Sequence, residues 1–231
     1  MPTSFGQQAA LPTQSAPYSS VPTNVLLGKA NEQISSKLHG EYYNQAYAGQ
    51  LFWQTTTILG LAIPIYTTTA PLGPTLWNPA GSGKNAVLVS YNATYVTGTT
   101  SFGDIGLMFQ GNMGASIGTA APISAYTPQV PFNGLLGAAG GVVPGGIQSV
   151  MKSTSTGTVT LTTGGATTNY LMTIGSINLE AVTGTAHGTV VAEYDFKGRV
   201  IVTPGTFVYF ASQTASVALF AQTLIWCEVP S

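Results

Sequence analysis

The sequence predicts an all-β chain, an antiparallel jelly-roll β-sandwich entered through an extended N-terminal arm, and three observations support this. From residue 50 onward, short runs rich in Val, Ile, Thr, Tyr and Phe are separated by Gly, Pro, Asn and Ser, which is the pattern of strands joined by turns. Only one stretch has helical spacing, so helices are not at hand to cover both faces of a parallel sheet. The 231 residues carry six basic and seven acidic side chains, a formal net charge of −1. A solvated surface must then be built from Thr, Ser, Asn, Gln and Gly, and Thr suits a pleated face. A chain of this length can fold as one sandwich or barrel.

Taken in order, residues 1–24 are rich in Pro, Ser, Gln and Thr, with Phe5, Leu11, Tyr18 and Val21 as widely spaced apolar residues. That spacing cannot build a core, so the segment reads as an extended arm with those four side chains as anchors on a partner. Residues 25–49 read as a linker or short helix. Within them Ile34 and Leu38, four apart and followed by Gly40, predict a helix over 29–39, with an extended connection as the alternative. Residues 50–231 form the jelly-roll domain. Its strands are expected near 51–58, 62–67, 86–96, 105–110, 158–163, 170–174, 176–182, 189–196, 199–203, 206–211 and 216–229. Pro204-Gly205 suits the centre of a tight turn. The long last run can cross a whole sheet. Residues 111–146 form a small, apolar, glycine-rich insertion, too long for a hairpin loop, and read as a loop packed on a sister subunit or as a flap.

Several constellations invite a chemical reading and mostly lose it. Gly81-Ser82-Gly83-Lys84 resembles a phosphate cradle, but Asn78 stands where the first glycine belongs and Asn85 where the hydroxyl belongs. The alternation after Lys84 is that of a strand, so the run reads as a turn. Val87, Val89, Tyr91 and Tyr95 are expected on one face of that strand and Ser90, Asn92 and Thr94 on the other. On a strand His187, Glu193, Asp195 and Lys197 share one face, opposite Val190, Ala192, Tyr194 and Phe196. The apolar face seeks the core, which leaves Glu193 and Asp195, ~7 Å apart, as a solvated row rather than a glycosidase pair. His39 and His187 are too few for a zinc site, so no metal and no cofactor is expected. Cys227 shares parity with Ile225 and Val229 and reads as a buried packing residue. No G-x-S-x-G elbow occurs, so no catalytic residue is expected and the chain reads as a non-enzyme. Trp53 and Trp77, with neighbouring tyrosines, could stack on sugar rings or could equally close a sandwich end.

Near-neutral charge offers no basic stripe for direct nucleic-acid binding, and the longest apolar run, residues 58–66, is broken by Gly60 and Pro64, too short to cross a membrane. No export signal is read in residues 1–24, which predicts accumulation in the cytoplasm of the producing cell. The stretches LHGEYYNQAYAGQLFWQTT, LWNPAGSGKNAVLV, FKGRVIVTPGTFVYFASQ and LIWCEVP resemble virion proteins of tailed bacteriophages. These are trimeric jelly rolls of the tumour-necrosis-factor type, found as decoration, cement or head-fibre proteins. The resemblance runs from about residue 37 to 230 and brings no catalytic residue. It implies a homotrimer on the virion that binds a capsid protein and stabilises the particle, with the arm supplying attachment. A glycan-binding module of a phage fibre and a jelly-roll major capsid protein are the alternatives.

Overall fold

The computed structural model describes residues 26–27, 33–34, 41–67, 71, 73–99, 103–111, 123–126, 129–134, 149, 151–154, 159–161, 169–177 and 190–231. The chain divides into two units, Met1–Tyr43 and Asn44–Ser231. In the first, β1 (Leu26–Leu27) pairs antiparallel with β2 (Gln33–Ile34), Leu26 opposite Ile34. This corrects the expected helix over 29–39 at Gln33 and Ile34, the part of it among the described residues. Asn31, Ser35 and Ser36 are weak helix formers, and an isolated eleven-residue helix is marginal in water. The one helix of the described residues, α1 (Tyr43–Tyr47), follows at the boundary, and Gly49 ends it in the left-handed conformation at φ 67°.

The second unit is an antiparallel β-sandwich. Its strands in chain order are β3 (Leu51–Thr55), β4 (Thr75–Trp77), β5 (Lys84–Thr97), β6 (Gly103–Gln110), β7 (Ile123–Tyr126), β8 (Phe132–Asn133), β9 (Lys152–Thr154) and β10 (Val159–Leu161). There follow β11 (Asn169–Ile177), β12 (Val190–Asp195), β13 (Ile201–Val202), β14 (Phe207–Ser212) and β15 (Leu219–Pro230). One sheet has the order β11-β6-β14-β4-β9, the other β12-β5-β15-β3-β8 with β13 also paired to β5. β7 and β10 form a separate pair. The fold class read from the sequence, an all-β antiparallel sandwich, is the one observed.

Alternation builds the core. Along β15 the even residues Phe220, Leu224 and Trp226 are fully buried, and they meet Val208 and Phe210 of β14 in one cluster with Leu88, Tyr91 and Phe52. The Tyr91 and Phe210 rings stack at 3.8 Å, tying the two sheets face to face. β14 is buried on both faces. Val208 and Phe210 look into the sandwich, whereas Phe207, Tyr209 and Ala211 form a second cluster with Met108, Tyr66 and Trp77 on the outward side of their sheet. Two polar pairs lie inside the sandwich: Tyr91 donates to Gln222 Oε1 at 2.8 Å, and Ser153 donates to Gln54 Oε1 at 2.9 Å; the buried Trp226 indole N–H has no partner among the described residues.

β5 departs from the even alternation expected of it. Ile225 lies opposite Ser90 and Trp226 opposite Leu88, and Leu219 lies opposite Thr97 while Phe220 faces Tyr95. Val89 and Val96 are therefore extra residues, each a bulge that reverses which side chains face inward. Ala86 and Leu88 face the core before the first bulge, Tyr91 and Ala93 after it, so Val87 and Tyr91 do not share a face. The same register corrects Cys227. The core row of β15 is the even one, and Cys227 is buried on the outward side beside Leu51 and Val87.

Other boundaries move for identifiable reasons. Residues 62–67 are not a strand: Leu61 makes a single bridge to Phe220 and Ile65 one to Ser212, so the segment crosses from one sheet to the other. Pro64 has no N–H for a ladder, but its carbonyl accepts the Ser212 N–H at 2.7 Å. The expected strand 170–174 and the described start of the expected strand 176–182 are one strand, β11, running through Gly175 to Ile177, with register shifts between Tyr170 and Met172 and between Thr173 and Gly175; residues 178–182 lie outside the described residues. Within the glycine-rich insertion, residues 123–126 and 132–133 are strands, as β-branched and aromatic content allows. The remainder of that insertion lies outside the described residues, apart from Gly111, Gln129–Pro131 and Gly134.

The turns read from the sequence form. Gly205 has φ 87°, and the Thr206 N–H donates to Thr203 O at 3.1 Å around Pro204-Gly205, a type II turn that carries the chain from β13 in one sheet to β14 in the other. The Gly-Ser-Gly-Lys run is a turn that leads into β5, with Asn78 as its clasp. The Asn78 amide donates to Lys84 O and Val202 O, both at 2.8 Å, and its Oδ1 accepts Ser82 Oγ–H at 2.5 Å. Its backbone donates to Thr206 O and accepts from Gly205 N–H. Asn78→Ala is expected to lower unfolding free energy by about 1–3 kcal/mol, because the buried Val202 carbonyl loses its side-chain donor and the part-buried Lys84 carbonyl keeps only the Ser82 hydroxyl. Asn78→Asp should cost a similar amount, since a carboxylate cannot donate. Urea denaturation of the two variants checks this; an Asp variant as stable as the parent would contradict it.

Candidate functional site

The residues singled out in the sequence do not assemble into one site. Phe5, Leu11, Tyr18, Val21, His39 and His187 lie outside the described residues. Trp53 stands on the outward face of the β3 sheet, in a row with Phe132 and Ile225 on neighbouring strands. Trp77 packs in the outward cluster of the other sheet. The two tryptophans thus face opposite sides of the sandwich and cannot share one sugar ring.

Glu193 and Asp195 are exposed on β12. The Asp195 carboxylate accepts the Lys197 N–H at 2.8 Å, a local turn contact. Among the described residues, no three His, Cys, Asp or Glu side chains gather as metal ligands. Lys84, the lysine of the phosphate-like run, reaches Glu228 Oε2 at 3.3 Å instead. Glu228 is fully buried and also accepts the Ser149 hydroxyl, so this pair is a structural closure of the strand end.

A cleft does form where the sequence reading placed only strands. β11 and β12 are edge strands of the two sheets and approach each other. Between them opens a cavity of about 590 Å³. Phe109, Met172, Phe196, Val202 and Val208 supply apolar walls, while Leu171 and Ile201 stand at it 45% and 54% exposed. Its polar lining residues are Tyr194, Arg199, Thr203 and Thr206, the hydroxyls of the last two 3.3 Å apart.

The first bulge of β5 places Arg199 there. β12 pairs with β5 as far as Ser90, and β13 resumes at Val87. In between, Phe196 N–H donates to Val89 O, and Leu88 N–H donates to Val200 O. The chain spans this gap with a tight turn, closed by the Arg199 N–H to Phe196 O at 2.9 Å. Lys197 and Gly198 take φ 50° and 71°, the mirror-image geometry that glycine makes easy and lysine tolerates at some cost.

The guanidinium is then fixed three ways. Its Nε donates to Phe196 O at 3.1 Å, and its Nη2 donates to Tyr194 OH at 3.1 Å and to Asp195 O at 3.3 Å. It also sits 5.7 Å from the Tyr194 ring centre, within cation–π range. Chemically, this is an oriented positive charge beside an apolar cavity. Sequence reasoning missed Arg199 because a lone arginine between two strands carries no motif. The available signal was the tight-turn pair Lys197-Gly198 directly before it.

A second feature is the opposite end of the sandwich. The turn 57–60, closed by Gly60 N–H to Thr57 O at 2.8 Å, abuts the start of β15. A side chain at Gly60 would meet the Phe220 backbone at 2.9 Å, so only glycine permits the approach. On this turn Ile58 and Leu59 are 89% and 72% exposed, and Val217, in the loop before β15, is 73% exposed.

Cys227 has no part in either place. Burial removes its thiol from solvent and pushes its pKa up to about 11, so at neutral pH it stays a protonated thiol, and the thiolate is the reactive form. At pH 8 the native protein is expected to leave a thiol reagent such as Ellman's unreacted for many minutes and to titrate one thiol once unfolded in guanidinium; rapid native labelling would contradict the burial. No protein-family model, no curated protein and no solved structure matches this chain.

Proposed function

We propose that this chain is a non-enzymatic structural protein of a bacteriophage virion. On this reading it is a capsid decoration or cement protein that associates as a homotrimer, attaches to a capsid protein through residues 1–24 and stabilises the particle. The observation that carries the reading is the apolar end of the sandwich, Ile58, Leu59 and Val217, exposed at 89%, 72% and 73%. Large aliphatic groups held in water on a weakly charged surface mark a face that another protein covers. The outward row Phe132, Trp53 and Ile225 adds a second apolar strip on the six-stranded sheet.

Strand order supports the same reading. If β3, β4, β5, β6, β11, β12, β14 and β15 are counted one to eight, the sheets read 1-8-3-6 and 2-7-4-5, which is the order of a jelly roll with two interlocked Greek keys. Fold by itself assigns no function. Here it agrees with the sequence resemblance to trimeric phage jelly rolls and with a surface built for association. Symmetric copies on a particle multiply weak contacts through effective concentration, which suits a protein with few charges to spend on any one partner.

Light scattering on the purified full chain is expected to give the mass of three copies. Removing residues 1–24 should preserve that mass and abolish binding to capsids prepared without the protein. Paired Ile58→Asp and Val217→Asp substitutions should weaken association at least tenfold, through burial of charge in an apolar contact. A monomer at all accessible concentrations, or full capsid binding without the arm, would overturn the corresponding half of the proposal.

A further inference from the structure

We propose that the edge cleft beside Arg199 binds a small anionic amphiphile, a free single-chain carboxylate whose tail lies in the cavity and whose head meets the guanidinium. The inference does not rest on the virion reading; it follows from the cleft alone. A cavity of about 590 Å³ falls in the range of small-ligand sites, which are mostly apolar with a few polar groups that fix orientation. The walls fit that description: Phe109, Met172, Phe196 and Val208 present hydrocarbon. Leu171 and Ile201, 45% and 54% exposed at the cavity, would be covered by a tail lying between the two edge strands, with a gain from each apolar area removed from water.

The charge decides the head group. Three of the guanidinium N–H groups are used, on Phe196 O, Asp195 O and the Tyr194 hydroxyl, and all three acceptors are uncharged. Among the described residues the ion pair is Lys84 with Glu228, and none of their carboxylates pairs with Arg199. The nearest acid in sequence, Asp195, turns its Oδ1 to the Lys197 N–H. Nη1 makes no bond among the described residues, and because Nε and Nη2 are already engaged, a ligand meets Nη1 through one charge-assisted hydrogen bond rather than a two-nitrogen fork. An anionic oxygen such as that of a carboxylate is the acceptor that gains most from such a bond.

Other ligand classes fit less well. A nucleotide would want a cradle of backbone amides for its phosphates, and of the two cations in this turn, Lys197 and Arg199, only Arg199 lines the cavity. A sugar would want partners for many hydroxyls, against a wall that is aliphatic and aromatic apart from Thr203, Thr206, Tyr194 and Arg199.

The test is calorimetric titration of the full chain with dodecanoate below its micelle concentration, alongside dodecanol as the neutral analogue. One saturable site per chain is expected, with the alcohol bound at least tenfold more weakly. Arg199→Gln should lose roughly tenfold for the carboxylate, the scale of one charge-assisted hydrogen bond, and leave the alcohol unchanged. Leu171→Trp should block both ligands. Since Leu171 and Arg199 are solvent-exposed, thermal unfolding midpoints close to the parent's are expected. Should Leu171→Trp unfold, Ile201→Trp at the other exposed wall position provides the same block. The proposal is overturned if the parent shows no saturable binding, or several equivalent sites. It is equally overturned if acid and alcohol bind alike in parent and Arg199→Gln, or if neither tryptophan variant reduces binding.

Discussion

The structure depends on β15 keeping a strict two-residue alternation from Leu219 to Pro230. Its even residues, from Phe220 through Gln222, Leu224 and Trp226 to Glu228, are all buried, and it pairs with β5 along its length and with β3 over its centre. A register slip of one residue would turn this row out to solvent, so the strand is pinned by burial on one side and by two ladders at its edges. β5 spans the same ladder with two residues more than β15 and absorbs them as bulges at Val89 and Val96. The regular strand acts as the ruler, and its longer neighbour bends to fit it.

That accommodation reaches the cleft. At the first bulge the β5 backbone cannot offer continuous pairing, and on its far side β12 gives way to β13. The five residues between them form the turn that holds Arg199 against Phe196 O and Tyr194. A regular β5 would have carried one uninterrupted edge strand, with Arg199 as one more outward or inward position on it. The chain thus converts a mismatch in strand length into a fixed cation at the sandwich edge. Bulges near functional sites commonly re-aim side chains in this manner.

These same devices mark the limit of what the sequence could say. The existence of β5, β6, β14 and β15 was legible because their apolar content and bounding turns are strong, and the turns at Pro204-Gly205 and Gly81-Ser82-Gly83 were legible because turn chemistry is local, whereas the part Asn78 plays in the second was not. Nor was the facing of β5. Val87 and Val89 are apolar whichever way they point, so alternation alone could not reveal the extra residue; Cys227 was placed on the wrong face of β15 for another reason, because Ile225, Cys227 and Val229 are as apolar as the even residues Leu224 and Trp226. Residues 62–67 looked like a strand because β-branched residues surround Pro64; what decided otherwise was the need to cross between sheets. β4, β8 and β9 were missed because two or three residues carry no period. Of the candidate site, Tyr194 and Phe196 were placed on the inward face correctly, while Arg199 became meaningful only through contacts that the fold creates.

The polar interior explains where charge is left over. Buried polar groups between the sheets include amides and hydroxyls, Gln54, Gln222, Tyr91 and Ser153, which pair as Tyr91–Gln222 and Ser153–Gln54, and a neutral pair costs far less to desolvate than an ion pair. Glu228 is the exception, and Lys84 answers it at the strand end. With so few ions in the chain, an arginine hydrogen-bonded beside an apolar cavity, and without a carboxylate partner among the described residues, is not part of that internal pairing. Nor does it belong to the apolar tip, because Thr206 and Val217 lie beyond opposite ends of β14, a strand of six residues that spans about 20 Å. The proposed association through Ile58, Leu59 and Val217 would therefore leave the cleft open, and the proposed assembly and the proposed ligand binding would be altered separately by substitutions beyond the two ends of β14.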